Sequence, residues 1–339
     1  MNAPTRHRGP EESVRALVCE RFGPAEQLRF GELPAPQPGP HDVAIAVSTA
    51  GVSYVDTLVI QDRHQNKHEL PFAPGMEVAG VVTAVGAEVT THSIGQRVMA
   101  LVYDGAYAEQ AVAPATEAFA LPSAVPDEVG AVLVGGYLTA HAALHWQGNL
   151  ARNEWVLVLG AAGAVGLAAI QVAKAMGARV IAGASSDERL DVARAAGADV
   201  TVNYATDPNA VRVAATNHTD GEGVNVVYDP VAGALYEPSF RSLGWGGRYL
   251  IVGFAGGEIP KFPANHLLVK NRSAVGVALM YFRKRRPDLL KRSAEQLMAW
   301  CEAGMLSPPI ANRIALEQVP AALDDLANRR LVGKVVTTI

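Results

Sequence analysis

The run Trp155-Val-Leu-Val-Leu-Gly160-Ala-Ala-Gly163-Ala-Val-Gly166 passes from an unbroken apolar stretch through a glycine turn into a helical pattern, Val165 to Met176. A strand buried on both faces of a parallel sheet reads as such a continuous apolar run. A helix opening directly after it offers unpaired N–H groups and a positive dipole end to an anion, and the glycines let the backbone approach a pyrophosphate. The dinucleotide fingerprint G-x-G-x-x-G is incomplete here, with Ala161 where the first glycine belongs, then Gly163 and Gly166. Its context, strand, turn, helix and a further strand at Arg179 to Ala182, favours a nucleotide site over a packing turn that binds nothing.

The alternation continues with Asp187 to Ala196 (helix), Val200 to Asn203 (strand), Asn209 to Ala215 (helix), Asn225 to Asp229 (strand), Tyr236 to Leu243 (helix) and Gly247 to Val252 (strand). Parallel neighbours cannot be closed by a hairpin, so this pattern predicts a doubly wound sheet. Upstream, from Val14 to about Ala113, short β-rich runs broken by Gly and Pro, with alternation such as Val43, Ile45 and Val47, predict an irregular antiparallel barrel with little helix. Asp127 to Trp146 reads as a helix between the two regions. After Lys270 come an apolar strand (Ala274 to Leu279), an amphipathic helix (Pro287 to Ala303) and a last strand (Gly333 to Ile339), the final elements being expected to complete the first domain. The expected fold class is α/β. A β-barrel-type domain takes residues 14–135 and 282–339, a doubly wound nucleotide-binding domain takes 136–281, and residues 1–13 form a disordered tail.

Composition narrows the function classes. The 339 residues are 49% hydrophobic, enough for two packed cores. Only 18% are charged, and 29 Lys+Arg against 33 Asp+Glu leave a formal −4, so no basic field attracts nucleic acid or anionic lipid. Two cysteines, Cys19 and Cys301, suit a reducing, cytoplasmic setting and make neither a disulfide framework nor a cysteine-built zinc site. Met1 to Ser13 lacks the apolar core of a signal peptide, and the uncharged run Trp155 to Ile170 falls short of the ~20 residues a spanning helix needs.

Coenzyme choice is read at the end of the second strand, where an NAD site presents Asp or Glu to the ribose hydroxyls and a 2′-phosphate needs a cation instead. Here the strand ends Gly183-Ala184-Ser185-Ser186, with Arg189 three residues on and Tyr204 closing the following strand. Ser185 and Glu188 have the spacing of a capping box, which sets the serines at a helix N-terminus. NADPH is favoured over NADH, and Asp187 is the nearest rival carboxylate. The pairs His64/His68 and His141/His145 have i,i+4 spacing but no accompanying glutamate, so no metal is expected. Arg283 to Arg286, the one basic run, reads as solvated loop or as a partner for the phosphates of an acyl-CoA.

At these motifs the chain resembles the zinc-independent quinone oxidoreductases of the medium-chain dehydrogenase/reductase superfamily, the group that includes zeta-crystallin. The resemblance is carried by Asn153-Glu154 through Gly166 to Gln171 and Lys174, by Gly51-Val52 with Val55-Asp56, by Pro74-Gly75-Met76-Glu77-Val78-Ala79-Gly80, by Gly95-Gln96-Arg97-Val98, by Asp229-Pro230-Val231 and by Gly333-Lys334-Val335-Val336. It implies a GroES-like catalytic domain made from both chain ends, a Rossmann domain inserted between, NADPH in the interdomain cleft and a homodimer pairing edge strands. It also implies that zinc is absent, because Ser53 and Met76 stand where zinc-dependent relatives carry Cys and His.

Carried over residue by residue, the resemblance implies coenzyme contacts at Ala162, Gly163, Ala164, Val165 and Gly166, at Ser185, Ser186, Arg189 and Tyr204, and at Val252, Gly253, Phe254 and Ala255. Ala278, Leu279, Met280, Thr139 and Lys334 complete the set. Ser53, Tyr54 and His64 are the polar groups expected at the acceptor, His64 as a proton donor since an ordinary imidazole is partly charged near neutrality. The expected reaction is hydride transfer from NADPH to a quinone or similar conjugated carbonyl. A 2-enone or enoyl-thioester reductase and a non-catalytic, crystallin-like NADPH-binding protein are the alternatives.

Overall fold

The computed structural model describes residues 13–339; residues 1–12 of the expected tail lie outside the described residues, and Ser13 already opens a strand. Fifteen strands follow in order: β1 (Ser13–Val18), β2 (Arg29–Pro34), β3 (Asp42–Val52), β4 (Glu77–Val85), β5 (Arg97–Leu101), β6 (Gln110–Pro114), β7 (Ala118–Ala120), β8 (Trp155–Val158), β9 (Arg179–Ala184), β10 (Val200–Asn203), β11 (Val224–Asp229), β12 (Leu243–Ile251), β13 (Ser273–Gly276), β14 (Ile310–Ala315) and β15 (Lys334–Thr338). The described residues divide into two units, one of residues 13–120, 313–330 and 335–339, the other of residues 121–312 and 331–334.

The first unit holds the antiparallel pair β1-β2 and a seven-stranded sheet ordered β14-β15-β3-β4-β5-β7, with β6 on β3. The alternation at Val43, Ile45 and Val47 buries these side chains on one face of β3. Gly80 lets β3 and β4 close up, since a Cβ there would sit 2.0 Å from the Ala46 carbonyl oxygen. The scarcity of helix expected over Val14 to about Ala113 is corrected at Tyr54–Val59, which packs on Val319–Ala327. Six residues are too short a window for a helical period to register.

The second unit is a six-stranded parallel sheet ordered β10-β9-β8-β11-β12-β13. The order reverses between β8 and β11, which makes the carboxyl ends of those strands the switch point where such sheets bind ligands. Helix Ala164–Ala175 packs on β8 and β9, and its Leu167, Ala168, Ile170, Val172 and Ala173 are buried. A fully buried Leu or Ile contributes about 1.5–3 kcal/mol. The helix Pro287–Glu302 lies in this unit: Ser293, fully buried on it, bonds His141 Nδ1 and Trp146 Nε1, each at 2.9 Å. The strand at Ala274 ends at Gly276, and Leu279 opens a helix, Leu279–Arg285, in place of the expected strand end.

Candidate functional site

Strand β8 leads into the glycine turn. Gly160 takes φ +58°, Gly163 caps the helix in an extended conformation, and the Gly163 N–H donates to the Gly160 carbonyl at 2.9 Å. The first intrahelical bond runs from Leu167 N–H to the Gly163 carbonyl, so the amides of Ala164, Val165 and Gly166 have no backbone acceptor among the described residues. These are the orphan donors of a helix start. A Cβ on Gly166 would lie 2.3 Å from the Gly160 oxygen, whereas one on Gly163 would meet only that oxygen at 3.3 Å. Gly136 lies against Ala164, which brings the helical stretch carrying half-buried Thr139 to the start of this helix. That stretch includes two π-wound segments, Leu133–Tyr137 and Ala142–Gln147, a geometry frequent at functional sites. The Gly333 N–H bonds the Ala162 carbonyl at 2.9 Å, and Lys334, buried, follows directly.

At the end of β9 the helix N-cap is Ser186, not Ser185 as the S-x-x-E spacing suggested: Ser186 is extended, and its hydroxyl accepts the Arg189 N–H at 3.3 Å. The helix starts at Asp187, one residue too late for Ser185 to cap it. Gly183 makes room for the Tyr204 ring, 3.2 Å from where its Cβ would stand, and the Tyr204 N–H bonds the Ala184 carbonyl. Ser185, Ser186, Arg189 and Tyr204 thus gather at the carboxyl ends of β9 and β10.

On the other side of the switch point, Asp229 closes β11 with its carboxylate buried. Oδ1 accepts the Val231 and Ala232 N–H groups at 2.7 and 2.8 Å, and Oδ2 accepts the Tyr249 hydroxyl at 2.5 Å. Burial raises the Asp229 pKa, and the hydrogen bonds from Tyr249, Ala232 and Val231 oppose that shift. The turn so fixed receives the N–H groups of Val252, Ala255 and Gly256 on Asp229, Pro230 and Val231 carbonyls. A cavity of about 490 Å³ opens beside it, lined by Gln147, Ile251, Val252, Gly253, Phe254, Gly276, Val277, Ala278 and Tyr281. Val252, Gly253, Phe254 and Ala278 were expected here; Ala255, Leu279 and Met280 do not line it. Gln147 and Tyr281 are additions that no sequence motif signals.

In the first unit, Ser53 is the N-cap of Tyr54–Val59. Its N–H donates to Asp56 at 2.9 Å, and its hydroxyl donates to Glu77 at 2.6 Å. Tyr107 donates to Asp56 at 2.6 Å, and burial and these carboxylates push the Tyr107 pKa well up. Asp56, Glu77 and Tyr107 form a buried network with Ser53 whose acids lie in the Val55-Asp56 and Met76-Glu77 motifs. Tyr54 is exposed. The ring of His64 is half-buried, and its Nδ1 accepts the Asn66 N–H at 3.2 Å, which assigns the proton of the neutral ring to Nε2. Burial, with His68 and Lys67 nearby, lowers the His64 pKa below its ordinary value. This corrects the expectation of a partly charged His64: desolvation disfavours the imidazolium a general acid would need. His68 pairs instead with Asp104 at 3.1 Å.

Family models match both units. One described as an alcohol dehydrogenase GroES-like domain covers residues 39–123, and one described as a zinc-binding dehydrogenase covers residues 164–295. The chain is 35% identical over 336 residues to quinone oxidoreductase-like protein 2 of Bos taurus, spanning 99% of this chain and 95% of that one. The chain belongs to the quinone oxidoreductase family. Within the medium-chain dehydrogenase/reductase superfamily it is an oxidoreductase with GroES-like and Rossmann-type domains. A mycobacterial protein solved in complex with NADPH matches with TM-score 0.88 at 32% identity, over 96% of this chain and 100% of that one. Escherichia coli quinone oxidoreductase, also solved with NADPH, matches with TM-score 0.86 at 25% identity over 96% and 99% of the two chains.

The family's remaining surface features have plain structural readings in this member. In the basic run, Arg283 is buried and Arg286 holds Asp288 by two 3.0 Å bonds, so Lys284 and Arg285 are its open cations. His141 sits against Ser293 with its pKa lowered by burial and by His145 to about 4. No helix among the described residues is long and apolar enough to cross a membrane.

Proposed function

We propose that this chain is a zinc-independent reductase that uses NADPH to reduce a quinone or a similar conjugated carbonyl. The observation that carries this reading is the trio of amides at Ala164, Val165 and Gly166 that have no backbone acceptor among the described residues, at the switch point of the parallel sheet. With Ala162 and Gly163 they hold the pyrophosphate through N–H groups and the helix dipole. The missing first glycine does not prevent this, because Ala161 is buried and has a non-glycine backbone. Ser185, Ser186, Arg189 and Tyr204 receive the 2′-phosphate. Thr139, Val252, Gly253, Phe254, Ala255, Ala278, Leu279 and Met280 flank the nicotinamide half, and Lys334 stands beside the turn.

Bound there, NADPH supplies a hydride from C4 of its nicotinamide. A quinone is electrophilic without assistance, so the protein's work is orientation and water exclusion by apolar walls. Tyr54 and the Nε2–H of neutral His64 serve as donors to the acceptor, while Ser53, its hydroxyl donated to Glu77, caps the helix that carries Tyr54. Zinc independence is supported by the donor set: Ser53 spends its hydroxyl on Glu77, and Met76 offers a thioether in place of an imidazole or thiolate. Of the basic run that would favour a thioester, Arg283 is buried and Arg286 pairs with Asp288 at the surface, which leaves Lys284 and Arg285 as its open cations.

Two copies pair through the β13 edge. Among the described residues that strand bonds only β12, and Trp245, Ile259, Leu268 and Val269 in the surrounding segments are 70%, 65%, 81% and 63% exposed. Apolar side chains this open beside an unpaired edge fit a protein interface. Steady-state NADPH oxidation with a 1,4-quinone, a small enone and crotonyl-CoA tests the assignment. Turnover with the quinone supports it, and activity on the thioester alone removes it.

A further inference from the structure

This inference rests on the NADPH reading and concerns what enforces it. Asp187 is the first residue of the helix capped by Ser186, in the midst of the residues assigned to the 2′-phosphate. A carboxylate in this region of a dinucleotide fold suits the ribose hydroxyls of NADH and repels the extra phosphate of NADPH. Asp191, the next aspartate on the helix, is committed to Arg194 at 2.5 Å, which leaves Asp187 as the aspartate nearest the proposed phosphate ligands.

Asp187 is restrained. Its Oδ1 accepts a 2.9 Å bond from Nδ2 of Asn203, the last residue of β10. The Asn203 amide has a fixed orientation, because its own Oδ1 accepts the Ala205 N–H at 3.0 Å and so leaves Nδ2 facing the carboxylate. Asn203 also pairs with Ala184 in the parallel ladder, so the donor is anchored in the sheet. We propose that Asn203 is a coenzyme-specificity residue: by holding the Asp187 carboxylate toward β10, it denies that group to the ribose of NADH and keeps its charge away from the 2′-phosphate.

The test is direct titration of NADPH and NADH, followed by nicotinamide fluorescence, into the full chain and its N203A, D187N and D187N/N203A variants. The wild type is expected to prefer NADPH. N203A is expected to lower the NADPH:NADH affinity ratio about three- to tenfold, the loss of one charge-assisted bond, with NADPH weakened and NADH strengthened. In the D187N background the same change is expected to leave the ratio within about twofold, because no carboxylate remains to be released. An unchanged ratio in N203A, equal weakening of both coenzymes, or an undiminished effect in the D187N background overturns the proposal while leaving the NADPH reading intact. A wild type that prefers NADH overturns both, and that result is read before any variant is compared.

Discussion

Gly333 donates its backbone N–H to the Ala162 carbonyl at 2.9 Å and forms a parallel bridge with Gly163. The segment that leads into the last strand is thereby tied to the first half of the glycine turn. The turn is held by elements far apart in the chain, and Gly163 and Gly166 within it meet different surroundings.

Gly166 is needed by the fold, and the proposed coenzyme site assigns Gly163 to the pyrophosphate. Gly166→Ala drives a Cβ to 2.3 Å from the Gly160 oxygen and 2.8 Å from Ala161 Cα, and is expected to cost about 1–3 kcal/mol of stability. Gly163→Ala meets one atom at 3.3 Å and is expected to keep its melting temperature while losing at least about tenfold in NADPH affinity, as a side chain enters the space for the pyrophosphate. Thermal melts and coenzyme titrations on both variants check this; equal melting temperatures would contradict it.

Stability should fall on mild acidification through His141. Its folded pKa is about 4 against an ordinary 6.5, so between these values the unfolded chain binds the proton and the folded chain does not. The stabilisation is present above 6.5 and is lost as pH falls toward 4, in total about 3 kcal/mol. Urea unfolding at several pH values should show this slope in the wild type and a shallower one in His141→Gln.

The fold was legible where burial dictates composition. Trp155 to Leu159 reads as a strand because both its faces are covered, and Asn225 to Asp229 for the same reason. Ile310–Ala315 was not legible: its residues are half-exposed or exposed, so no apolar run marks it. The strand–turn–helix at Gly160 to Gly166 was readable because its geometry is backbone geometry and glycine spacing records it. Gln147 and Tyr281 were not, since they come from distant segments and meet only when β12 and β13 lie side by side. The lowered His64 pKa was not legible either, since an ordinary imidazole value leaves out the burial that folding imposes.

The pH profile of turnover follows from that burial. With the His64 pKa lowered below 6.5, the neutral ring persists through neutrality, and kcat/KM should stay flat from pH 8 down to about 6.5, declining only below it. His64→Gln, which keeps an N–H donor, is expected to stay within about threefold of wild type, and His64→Phe to raise the acceptor KM. A rate that climbs as pH falls from 8 to 6 would mean that the imidazolium acts as the acid.

The β13 edge makes an independent forecast. Wild-type protein should run as a dimer in light scattering, and Trp245→Glu with Leu268→Glu, at positions 70% and 81% exposed, should give a folded monomer. A monomeric wild type, or a double variant that stays dimeric, would contradict the interface.

The most direct test is a single-turnover experiment on protein freed of metal by chelation and verified by elemental analysis. The protein is preloaded with NADPH and mixed rapidly with a 1,4-quinone while nicotinamide fluorescence is followed. Prompt, stoichiometric loss of the signal, unchanged by added zinc, is the predicted result; a signal that persists until zinc is restored would contradict the account.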